Sequence, residues 1–103
     1  MKDEALLQYL KTVCAGKKHL RSGRSLQNAL HLSEKELRRR IHRLRCQGVP
    51  IAATRQGYFY AESAGDLYAT IRQLEKLRNS IEDAIRGLES ALEDFKSPEG
   101  NHR

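Results

Sequence analysis

The residues of this chain best suited to chemistry are cations. Lys35, Arg38, Arg39, His42 and Arg43 recur through SEKELRRRIHRLRCQG, residues 33–48. At about 100° per residue, Lys35, Arg39, His42 and Arg43 share one side of a helix, with Arg38 on the flank. Leu37, Ile41 and Leu44 form a narrow stripe opposite. Guanidinium and ammonium groups bond phosphate oxygens and guanine edges. A helix buried on one side can carry them into a nucleic-acid groove. A solvated face on an ordinary domain has the same composition, so the surroundings must decide. Arg40 and Arg45 fall nearer the apolar edge, where long side chains snorkel or meet backbone.

Other chemistry is poorly provided for. His19, His31, His42 and His102 make no histidine pair at i, i+4 and no finger pattern with Cys14 or Cys46. Phosphate-binding glycine loops, paired carboxylates in an apolar setting and Ser–His constellations are also missing. The expectation is a non-enzyme with no metal, no cofactor and no small-molecule ligand. Cys14 and Cys46 are too few for a disulfide framework; both are expected reduced, with Cys14 in the core.

The element that positions the cations has its own start and stop signals. Ser33 is an N-cap, and Glu36 stands where a capping box needs it. Leu32 and Leu37 occupy the positions of a hydrophobic staple. Gly48 suits the left-handed residue that ends a helix, and Pro50 keeps the helix from resuming. Upstream, Asp3–Cys14 reads as a first helix with Leu6, Leu7, Leu10, Val13 and Cys14 inward. Residues 15–24 read as a basic loop, in which Lys17, Lys18, Arg21 and Arg24 are candidate phosphate contacts. Ser25 opens a short second helix, SLQNALH, joined to the basic one by a tight turn.

After Gly48, VPIAATRQGYFYAES reads as a β-hairpin turning at Thr54–Gly57, with Arg55 at the tip. Tyr58, Phe59 and Tyr60 have strong strand preference and are expected to cover the small core. The run LSEKELRRRIHRLRCQGVPIAATRQGYFYAES resembles the recognition helix and wing of small bacterial and phage winged helix-turn-helix proteins. It is similar to the N-terminal DNA-binding domain of the biotin operon repressor class. Leu44, Arg45, Gly48, Val49, Pro50, Ile51, Gly57 and Tyr58 carry the likeness, which spans about residues 5–62. The resemblance implies a winged helix-turn-helix that binds duplex DNA. It places Lys35, Glu36, Arg38, Arg39, His42 and Arg43 at the major groove and Arg55 at the minor groove or backbone. The likeness does not extend to the ligand-binding and ligase part of the biotin protein, so small-molecule sensing is not expected to carry over.

The last element runs from about Ala64 to Phe95. Leu67, Ile71, Leu74, Arg78, Ile81, Ile85, Leu88, Leu92 and Phe95 alternate at spacings of four and three. That is a heptad seam with Arg78 as its one polar member. A helix of this length extends about 48 Å, more than a small domain can cover, and a second copy is the simplest partner. Charge divides the chain similarly. Residues 1–62 hold 13 Lys and Arg against 5 Asp and Glu, whereas residues 63–103 hold 6 against 8. One segment suits a polyanion and the other does not.

The fold expected is mainly α with a small β-hairpin. Residues 1–62 form a winged helix-turn-helix, 63–96 a long coiled-coil-like dimerisation helix, and 97–103 a flexible polar tail. The N-terminus carries acids and does not resemble a signal peptide, and no run of about 18 apolar residues occurs. A cytoplasmic protein without membrane association is expected. The function expected is sequence-specific duplex DNA binding as a homodimer, as a small bacterial or phage transcriptional regulator such as a repressor. Two alternatives come from other classes: an RNA binder using the arginine-rich helix, and a protein-interaction module built on a winged helix.

Overall fold

The computed structural model describes residues 3–96. The polar tail expected over 97–103, with His102, lies outside the described residues. The elements are α1 (Glu4–Thr12), a 3-10 turn (Lys17–His19), α2 (Gly23–Leu30), α3 (Glu34–Cys46), β1 (Ile51–Thr54), β2 (Gly57–Tyr60) and α4 (Ala64–Lys96). The chain is thus mainly helical, with one antiparallel hairpin and a long last helix. It divides into two compact units, one ending at Thr70 and one beginning at Ile71.

In the first unit, α1 is shorter than its apolar pattern. It ends at Thr12, and Cys14 is used differently: its side chain is fully buried while its carbonyl accepts from Tyr60 N–H at 2.8 Å. The core gathers Leu6 and Leu10 of α1, Leu26 of α2, Leu37, Ile41 and Leu44 of α3, and Ile51, Ala52 and Phe59 of the hairpin. Three helices and a hairpin therefore share one apolar centre.

The second helix starts earlier than Ser25. Ser22 is its N-cap, with Oγ accepting from Ser25 N–H at 3.1 Å, so Gly23 and Arg24 are helical. Its end also moves. His31 is not the last helical residue but the left-handed cap, at φ 57° and ψ 49°. The His31 and Leu32 amides both donate to the Gln27 carbonyl, satisfying an end that would otherwise lack partners. The chain then turns directly into α3.

α3 begins as its caps require. Ser33 Oγ accepts from Glu36 N–H at 3.1 Å. The Glu36 carboxylate is spent on Arg40 at 3.0 Å rather than on completing the box. Leu32 packs against the core that holds Leu37, in keeping with the staple. Gly48, at φ 91°, is the left-handed stop.

The hairpin pairs Ile51 with Tyr60, Ala52 with Phe59, Ala53 with Tyr58 and Thr54 with Gly57. Ala52, not Ala53, reaches the deep core with Ile51, because cross-strand partners share a face and Ala52 faces Phe59. Phe59 is buried, and Tyr58 and Tyr60 are half-buried against the core. The far edge of β2 is bonded as well. Tyr58 N–H donates to the Arg21 carbonyl at 2.9 Å, and Arg21 N–H returns the bond at 3.1 Å. Gly16 N–H donates to Tyr60 O at 2.9 Å. The first part of the stretch read as a basic loop is thus a third, irregular partner of the sheet. Gly57 is required by this closeness, since a Cβ there would lie 2.5 Å from the Arg21 carbonyl carbon.

α4 starts within the first unit. Ser63 Oγ caps Asp66 N–H at 3.2 Å, and the Asp66 carboxylate accepts from Glu62 N–H at 3.3 Å. Thr70 is buried; its hydroxyl donates to the Asp66 carbonyl and accepts from Ala53 N–H of β1 at 3.1 Å. Leu67 is half-buried here, so it belongs to the first unit rather than to the exposed seam. In the second unit every described apolar side chain of the stripe is open. Ile71 and Leu74 keep 45% of their surface, Ile81 56%, and Leu88 72%.

Candidate nucleic-acid interface

α3 is held by its apolar stripe. Leu37, Ile41 and Leu44 are buried in the core, which fixes the rotation of the helix and turns the opposite side to solvent. That side carries Lys35, Arg39 and His42, all exposed, with Cys46 one turn beyond. Lys35 and Arg39 make no ion pair among the described residues, so no internal acid must be displaced before they meet an anion. Arg38, on the flank, pairs with Glu34. Both side chains are about two-thirds exposed, and such a pair exchanges readily for another anion.

Two arginines point elsewhere. Arg43, expected on the groove side, forms a bidentate pair with Asp3, with Nε and Nη2 both at 2.9 Å from the carboxylate. It fastens the start of α1 to α3. The hydrogen bond to Asp3 raises its pKa above the ordinary guanidinium value. Arg45 behaves as its edge position requires: Nε donates to the Ile51 carbonyl at 2.9 Å. Burial pushes its pKa down, with a smaller opposing effect from Tyr58, and its Nη2 is buried without a hydrogen-bond partner. Arg45 joins helix to hairpin and is not available to a ligand. Glu36 is half-buried and held by Arg40.

The remaining cations sit on three other elements. Arg24, helical after all, meets Arg38 at a cleft of about 280 Å³ between α2, α3 and Tyr58. Lys17 and Lys18 are exposed on the 3-10 turn. Arg21 is exposed beside β2 through its backbone bonds to Tyr58. Arg55 is exposed in the two-residue hairpin loop, where Gln56 N–H donates to Thr54 Oγ1 at 3.0 Å.

Cys46 was not among the groove-side residues expected from sequence. Its Sγ lies 3.6 Å from His42 Nε2. The i, i+4 spacing on the same face was its available signal. Among the described residues, no group of three or more His, Cys, Asp or Glu side chains is placed to hold a metal ion. No described helix is long and apolar enough to cross a membrane. Compared with protein-family models, curated proteins and solved structures, the chain matches none.

Proposed function

We propose that this chain is a winged helix-turn-helix protein that binds duplex DNA in a sequence-specific manner as a homodimer, serving as a small bacterial or phage transcriptional regulator. One observation carries the reading: α3 is anchored by Leu37, Ile41 and Leu44 and presents unpaired Lys35 and Arg39 on the opposite face. A short turn links it to α2, and a hairpin follows at once. In this reading α3 lies in the major groove, and Lys35, Arg38 and Arg39, near its N-terminal end, read base edges. Arg55 contacts the backbone or minor groove from the hairpin tip. Arg21, Arg24, Lys17 and Lys18 neutralise phosphates. Arg43 stabilises the fold through Asp3 and reaches DNA only if that pair opens.

The homodimer half of the proposal rests on the exposed stripe of α4. Apolar surface of this extent, repeated along one face of a helix, calls for a partner. The test is selection from a random duplex pool by the purified full chain at about 150 mM salt, where loose electrostatic binding is screened. The expected result is an enriched motif with two-fold symmetry. A folded protein that enriches nothing overturns the reading.

A further inference from the structure

The exposed stripe of α4 also carries information on how two copies would meet. With Ile71, Ile85 and Leu92 at a and Leu74, Ile81, Leu88 and Phe95 at d, Arg78 is the only charged residue in the seam. Glu75, Glu82 and Glu89 all occupy e, and Leu77, Ala84 and Ala91 all occupy g. Arg78 makes no ion pair among the described residues, although Glu75 and Glu82 stand one turn away on the same helix. The seam therefore holds one cation in need of an acid, with acids along one edge only.

A parallel pair in register faces Arg78 with the partner's Arg78. It also sets the e glutamates against apolar g residues, so no opposite charges meet across the seam. An antiparallel pair matches a with d and e with e. Centred level with Asp83, it places Ile71 against the partner's Phe95 and Ile81 against the partner's Ile85. Every seam residue from Ile71 to Phe95 then has an opposite number. Arg78 lies level with the partner's Leu88, beside the partner's Glu89. The two Arg78 side chains are about 15 Å apart along the axis. The glutamates that meet across the e edge are interleaved with both copies of Arg78.

We infer that the second unit forms an antiparallel two-helix homodimer centred level with Asp83, in which Arg78 pairs with Glu89 of the other copy. This inference rests on the homodimer reading above and not on DNA binding. Its occupant is a second copy because the same helix supplies both the unpaired cation and the acid that answers it in one symmetric register.

The test uses the full chain carrying Asp94→Cys in a Cys46→Ser background, leaving buried Cys14 unlabelled. Sedimentation first establishes whether it is a dimer. A spin label at position 94 then reports orientation. Antiparallel pairing separates the two labels by at least about 33 Å along the axis. Parallel pairing keeps them within about 20 Å, given helix axes about 8–10 Å apart. A long distance is expected. A dimer with the short distance overturns the antiparallel arrangement alone, and a monomer overturns the pairing and the homodimer reading together. Charge reversal gives an independent reading: Arg78→Glu weakens the dimer at least about 10-fold, and adding Glu89→Arg restores it. Positions 78 and 89 are about 16 Å apart within one helix, so rescue requires contact between copies. A double variant no tighter than Arg78→Glu overturns the register.

Discussion

Replacing Ile81 and Ile85 together by Asp should dissociate the protein. The two side chains keep 56% and 48% of their surface exposed. Fully burying an isoleucine is worth about 1.5–3 kcal/mol, so covering the remaining half contributes about 1 kcal/mol each. Four such side chains meet in a dimer, giving about 4 kcal/mol, or about a thousandfold in Kd. The substitution also brings four carboxylates into an apolar seam, and their desolvation weakens association further. The assay is sedimentation equilibrium over about 1–100 μM chain, where the wild type should be dimeric and the variant monomeric. Both positions lie outside the core of the first unit, so hydrogen-exchange protection of the Leu10, Leu37 and Phe59 amides, which are bonded within α1, α3 and the hairpin, should be unchanged. A variant that associates like the wild type refutes the reasoning, as does a wild type that is monomeric at the highest concentration.

Arg39→Ala should lower affinity for the selected duplex by about 1–3 kcal/mol and relax preference at one base position; unchanged affinity in a competition assay removes Arg39 from base reading. Gly57→Ala should cost at least about 2 kcal/mol in urea unfolding, because the added Cβ would press on the Arg21 carbonyl carbon at 2.5 Å. Thr70→Val should cost about 1–3 kcal/mol by the same measurement, since it leaves Ala53 N–H without its partner. Iodoacetamide at mildly alkaline pH should modify Cys46 and spare Cys14. Burial raises the Cys14 thiol pKa despite the opposing charge of Arg21, so less thiolate forms there at a given pH, and the side chain is inaccessible. Mass spectrometry showing two adducts on folded protein would contradict that protection.

Local signals were legible where the residues that decide them are close in sequence. Ser33, Gly48 and the Leu37, Ile41, Leu44 stripe define α3 within sixteen positions, and the structure follows them. The start of α2 was not so legible. Ser22 and Ser25 are both good caps, and Gly23 between them is a poor helix former that made the first turn read as loop. The sheet edge formed by residues 14–21 depends on backbone bonds to Tyr58 and Tyr60, about forty residues away, for which no side-chain pattern is needed. Arg43 shows the same limit at the candidate site. The helical wheel groups it with Lys35, Arg39 and His42, but Asp3 claims it from forty residues upstream. Lys35 and Arg39, which have no such claimant, sit where the wheel puts them.

The bonding of the hairpin has a consequence for how the protein behaves at high concentration. Two-stranded sheets usually offer open edges on which further strands can grow. Here β2 is covered by residues 14–21, and the Ala53 amide on β1 is taken by the Thr70 hydroxyl. The apolar strand sequence IAAT and the aromatic run GYFY are thereby withheld from edge-to-edge aggregation. That protection depends on the first turns of α4 as much as on the hairpin. A fragment ended at Glu62 would expose the β1 edge, whereas one extended past Thr70 would keep it closed.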